Sequence, residues 1–153
     1  MAQRQVARVN CPSCGQPFQT QVRQIFDVSQ DPNARQRVLN GVTNVAQCPH
    51  CGMRGAMSVP FLYHDPEKEL ALIYMPMEAG GDREQREQAI GRLTRRVMDQ
   101  LPSEQRKAYL FQPEVMLTMD NLTKRILKEE GITEEMIQAQ EQKAQLLQRM
   151  LEA

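Results

Sequence analysis

Phe18, Val22, Phe26 and Val28 share one parity along Phe18–Val28, the period of two that a strand with one buried face requires. The next stretch changes period. Asp31, Pro32 and a closing Gly41 supply an N-cap, a first-turn proline and a stop, predicting one short helix between them. Met57, Val59, Phe61 and Tyr63 then alternate up to a turn at Asp65–Lys68, and Leu70, Leu72 and Tyr74 alternate after it. This pattern predicts a β-hairpin.

Gly80-Gly81 breaks the chain, and beyond it the period is helical. Ile90, Leu93, Val97 and Leu101 lie on one face of a helix from about Arg83 that stops at Leu101-Pro102. Ser103 is placed to cap a short helix through about Phe111. Asp120 to Glu130, with Leu122 and Ile126 on one side, reads as another helix, ended by Gly131. Thr133 caps a last helix whose first turn holds Glu134 and Glu135, where the helix dipole favours acids. Ile137, Ala144, Leu147 and Leu151 fit a coiled-coil seam in which Gln140 takes one position, over fewer than three heptads.

These elements predict an α+β protein with a ribbon-like antiparallel β domain carrying a short inserted helix at residues 1–77, a helical region at 83–131, and a C-terminal amphipathic helix at 132–153. At 153 residues the chain is long enough to bury a core without covalent staples. Lys+Arg and Asp+Glu are equal at 19 each, so no global field draws in nucleic acid or anionic lipid, and binding to either needs a local patch. The apolar run Leu70–Met77 is too short to span a membrane, and the first residues lack the apolar core of a secretory signal. The expected location is a reducing cytoplasm, where four cysteines are metal ligands or redox groups rather than structural disulfides.

The cysteines come as one repeated unit, Cys11-Pro-Ser-Cys-Gly15 and Cys48-Pro-His-Cys-Gly52. In a zinc knuckle both sulfurs of a CxxC turn aim at one ion, proline after the first cysteine pre-sets the turn, and glycine after the second closes it. Two such turns offer Cys11, Cys14, Cys48 and Cys51 as a tetrahedral sulfur set suited to Zn²⁺, with iron second. The 33 residues between Cys14 and Cys48 exceed the gap of a compact finger, but a zinc ribbon accommodates a strand and helix there because closure entropy grows slowly with length. A dithiol redox pair is the other meaning of Cys-Pro-His-Cys. It normally opens a helix after a buried strand, and here Gly52-Met-Arg-Gly55 is a poor helix start. Four thiolates would also close the metal shell, which points to structure rather than catalysis.

His50 reads as a solvent-facing spacer, and His64 as a partner in hydrogen bonds within the hairpin turn. The arginines at 83, 86, 92, 95 and 96 are interleaved with Glu84, Glu87 and Asp99 and lack stacking aromatics, so they read as a solvated helix face. Ten methionines with no tryptophan read as core filling, with docking to another chain where they are exposed. No phosphate loop, nucleophile elbow, catalytic acid pair or dinucleotide fingerprint is present, so no catalytic residue is assigned.

The two Cys-Pro-x-Cys-Gly motifs, with Leu39-Asn-Gly41 and Pro60-Phe-Leu-Tyr-His-Asp65, resemble the bacterial and archaeal CpXC domain over about residues 5–130, the last helix standing as an extension. The resemblance implies four cysteines presumed to bind metal, and it supplies no substrate. The function expected is a non-enzymatic interaction or adaptor module stabilised by Zn²⁺. Its surface would be the β-hairpin or the last helix, with a protein partner or a second copy of the chain. Nucleic-acid binding by a zinc ribbon is the first alternative, and a thiol redox or zinc-sensing switch the second.

Overall fold

The computed structural model describes residues 4–77 and 81–152, so residues 78–80 of the break read around Gly80-Gly81, and residue 153 of the last helix, lie outside the described residues. The chain is α+β, as expected. Strands β1 (Arg4–Asn10) and β2 (Pro17–Arg23) form an antiparallel hairpin closed by the first cysteine motif. Strands β4 (Val45–Gln47) and β5 (Arg54–Ala56) form a second, closed by the other motif. A central sheet has the order β3-β6-β7-β8, from Ile25–Asp27, Phe61–Asp65, Leu70–Tyr74 and Glu114–Met116. Its middle pair is the expected antiparallel hairpin, while both outer strands run parallel to their neighbours. The central sheet is therefore mixed, where an antiparallel one was expected, because β3 and β8 join the hairpin's edges after crossovers rather than tight turns.

Both faces of the β6–β7 hairpin are covered. Phe61, Tyr63, Leu72 and Tyr74 pack with Phe26 beneath α1 (Ala34–Leu39) and α3 (Met119–Glu129). Leu62, Ala71 and Ile73 face the other way, beneath Leu93 and Val97 of α2 (Arg83–Asp99) and Leu110. The alternation that predicted the hairpin is thus one parity of a strand pair buried throughout, as in a sheet covered on both sides. Met57 and Val59, read as the start of this hairpin, lie outside it and pack against the cysteines instead.

The strand expected over residues 18–28 is broken at Gln24. Phe18 and Val22 enter the cysteine lobe, Phe26 enters the central core, and the intervening Gln24 carbonyl accepts the Leu62 N–H at 2.8 Å. Helix α1 starts later than the Asp31 cap suggests, because the Asp31 carboxylate and carbonyl accept the N–H groups of Asn33 and Ala34 in a turn that leads into it. The helix expected over 103–111 is two 3-10 turns, Ser103–Gln105 and Ala108–Phe111. The backbone leaves the helical region at Arg106 and Lys107, and Leu110 drops into the core.

The other helices follow the sequence closely. Asp82 caps α2 in a reciprocal capping box with Gln85. Thr118 caps α3, and Thr133 accepts the Met136 N–H at 3.2 Å at the start of α4 (Glu134–Glu152). Helix α4 buries none of its residues, and no helix among the described residues is long and apolar enough to cross a membrane.

Candidate metal centre

Each knuckle is built by the same backbone bonds. The Cys11 carbonyl accepts the Gly15 N–H at 2.9 Å, and the Cys48 carbonyl accepts the Gly52 N–H at the same distance. The chain then returns to its hairpin through Cys11 N–H to Gln16 O at 3.0 Å and Cys48 N–H to Met53 O at 2.8 Å. Gly15 and Gly52 sit at φ +76° and +79°, left-handed conformations that cost any L side chain about 1–2 kcal/mol. The repeat in sequence is therefore a repeat in geometry, with each glycine in the role its position predicts.

All four sulfurs lie within 4.8 Å of one another. Cys11 Sγ is 3.6 Å from Cys51 Sγ, and Cys14 Sγ is 3.7 Å from Cys48 Sγ, so the contacting pairs join one knuckle to the other. A sulfur tetrahedron around an ion with metal–sulfur bonds of about 2.3 Å has edges of about 3.8 Å. The donor set fits such an ion, and these four residues are able to hold a metal.

Backbone donors are aimed at the inner sulfurs. Ser13 and Cys14 donate N–H groups to Cys11 Sγ at 3.4 and 3.5 Å, and His50 N–H points to Cys48 Sγ at 3.4 Å. Chiefly through the Cys14 N–H, these bonds outweigh desolvation and lower Cys11 to about 6, so it favours the thiolate. Cys14 receives a lowering bond from the Gln16 backbone, yet desolvation and sulfur contacts with Cys48, Cys11 and Cys51 push it up to about 12. Four adjacent sulfurs cannot all carry negative charge unless a cation shares the site.

Cys11 and Cys48 are buried against Phe18, Val22, Met57 and Val59, while Cys14 and Cys51 are exposed. The imidazole of His50 is exposed, as expected of a spacer, and Nε2 lies 3.3 Å from the Pro17 carbonyl of the other hairpin. His64 departs from the expectation. Its ring is wholly buried on β6, with Nδ1 3.0 Å from Asp27 Oδ2 and Nε2 2.6 Å from the Tyr109 hydroxyl. The turn itself is held by Asp65, which accepts the Lys68 N–H at 3.4 Å.

Asp27 faces His64 across the parallel β3–β6 ladder, and its other carboxylate oxygen accepts the Ser29 N–H and hydroxyl. Burial raises its pKa, but the bonds from His64 and Ser29 prevail and hold the carboxyl below the ordinary aspartate range. Sequence reasoning missed this group because residues 27 and 64 meet through a parallel pairing, and Tyr109 arrives from the distant 3-10 turn Ala108–Phe111, neither of which a local pattern announces. Both ring nitrogens of His64 are engaged, so the group is a polar clamp inside the core.

Two cysteine hairpins set beside a mixed, doubly covered sheet define a four-cysteine α+β protein with a metal-competent centre. The chain belongs to the CpXC protein family, whose model matches residues 9–141. The match runs into α4, beyond the extent of about residue 130 expected from the motifs. No curated protein and no solved structure matches the chain.

Proposed function

We propose that the chain is a non-enzymatic interaction module in which Zn²⁺, held by Cys11, Cys14, Cys48 and Cys51, fixes the cysteine lobe. The observation that carries this reading is the convergence of four sulfurs from two matching knuckles within 4.8 Å. Zinc is preferred to iron because a closed thiolate shell serves a structural ion that needs no redox chemistry. When bound, the ion offsets half the charge of the four thiolates and ties two hairpins that share only a small apolar cluster. The thiol-switch alternative is disfavoured because the contacting sulfurs belong to different motifs, whereas a redox CxxC pairs its own two cysteines.

Metal analysis of the purified protein is expected to find one zinc per chain. Cys48→Ser, or chelation, is expected to abolish the cooperative melt of the cysteine lobe. Stoichiometric iron would displace the zinc assignment. A metal-free protein with native circular dichroism and melting would remove the structural role.

For the interaction surface, the doubly covered β6–β7 hairpin is closed and α4 is open. Leu146, Leu147, Met150 and Leu151 are exposed on it, and its first turns border an apolar groove of about 540 Å³ that includes Leu127 and Ile132. A second copy of the chain is the occupant we favour. Glu134, Glu135 and Glu141 lie in the first half of α4, Lys143 at its midpoint and Arg149 in the second half, so an antiparallel copy brings each Arg149 toward the acidic half of the other helix, with Glu152 the exception. Sedimentation equilibrium is expected to give a dimer for the full chain and a monomer for a chain ending at Gly131. A monomeric full chain would overturn self-association.

A further inference from the structure

The equal totals of acidic and basic residues conceal a separation along the chain. Residues 4–64 contain six arginines, no lysine, no glutamate and two aspartates. That excess survives the two negative charges that four thiolates around a divalent ion would add. Two of the arginines, 4 and 23, are directly opposite in the β1–β2 ladder, an arrangement that repels. A third, Arg37, completes a notch of about 180 Å³ with them, between the open end of the hairpin and the loop after α1.

The notch has a rigid floor and two open arms. Arg23 is nearly buried: its Nη2 donates to Asp31 at 2.8 Å, its Nε donates to the Ile25 carbonyl at 3.2 Å, and its guanidinium lies 4.5 Å from the Phe26 ring centre. Asn44 brackets the Arg23 backbone, accepting its N–H at 2.7 Å and donating to its carbonyl at 3.0 Å. Asp31 is ion-paired with Arg23 and reaches Arg37 only through a weaker, longer-range attraction. Arg4 and Arg37 are exposed and ion-paired to no acid among the described residues, and the dipole of the six-residue α1 is too weak to neutralise Arg37. Thr43 and Gln21 add polar groups to the wall.

We infer that this notch is an anion site for a phosphate group, with Arg4 and Arg37 closing on the oxygens above the Arg23–Asn44 floor. Planar guanidinium forks suit tetrahedral oxyanions, which they bind with paired charge-assisted hydrogen bonds. The volume equals about six liquid waters, enough for a phosphate and too small for a drug-sized ligand. Among the described residues the wall has no aromatic side chain, so recognition stops at the phosphate and does not extend to a base. Both free inorganic phosphate and the backbone of a polynucleotide supply that chemistry.

The test uses the intact, metal-loaded protein. Inorganic phosphate is titrated while the Arg Nε–H and Thr43 and Asn44 amide resonances are followed, and a labelled oligothymidylate is titrated by fluorescence anisotropy. Saturable binding of one or both is expected, weakened at least about tenfold by R4Q combined with R37Q, partly restored by R37K, and unaffected by R54Q. Binding of inorganic phosphate alone identifies the free ion as the source. Tighter oligothymidylate binding, lost in the same double variant and steep in salt, identifies a phosphodiester backbone. Failure of both probes to bind, or equal binding by wild type and the double variant with an unchanged melting curve, would overturn the site.

Discussion

Tyr63 and Tyr109 are both phenols set against the central sheet, and their hydroxyls have opposite fates. Tyr63 Oη is buried with no hydrogen-bond partner among the described residues, and desolvation, seconded by Asp65, holds its pKa above the usual tyrosine value. Tyr109 Oη meets His64 Nε2, and desolvation pushes it up to about 12, so it stays a neutral donor. Removing an unpaired polar atom relieves a cost, whereas removing a partner creates one. Tyr63→Phe is therefore expected to leave stability unchanged or raise it by up to about 1 kcal/mol, and Tyr109→Phe to lower it by about 1–3 kcal/mol. Urea denaturation of the two variants checks the sign. At this scale the cysteines were legible in sequence because a knuckle is made by five consecutive residues. The role of His64 was not, because its partners lie 37 and 45 positions away.

The short β3 strand is joined to β6 by backbone pairing and by the Asp27–His64 contact, and this makes a pH dependence belong to the element. Asp27 has a folded pKa below its unfolded one, so its contribution is complete above the ordinary aspartate value of about 3.9 and is lost as pH falls through the lower folded value. The stability gap between wild type and Asp27→Asn, about 1–3 kcal/mol near neutrality, is expected to shrink over that acid range. Denaturation followed at several pH values measures it, and since both proteins keep the same cysteines, acid loss of metal cancels in the difference. A gap that widened in acid would contradict the assignment. The Thr133 start and the Gly131 stop were readable at this scale, since each acts within one turn, whereas the Thr118 cap was not identified. The break at Gln24 was not, because apolar parity continues across it while the buried side chains enter two different cores.

At the level of the whole molecule, the period change after residue 80 separates strands from helices in sequence but not in space. Strand β8 comes from residues 114–116 and completes the central sheet beside β7, and helices α2 and α3 cover its two faces. Composition likewise reported a balanced charge and hid the arginine-rich half. The path between the two knuckles has a further consequence. From Cys14 the chain leaves the cysteine lobe at Gln24, lays down β3 and α1 on the central sheet, and comes back at β4 before reaching Cys48. A graft carrying both knuckles into another protein would take β3 with it, stripped of β6, as an orphan edge with bare N–H and C=O groups. The cysteine lobe is thus no transplantable cassette, unlike a finger whose ligands sit in one short stretch. Whatever it binds, it can be moved only as part of the whole sheet.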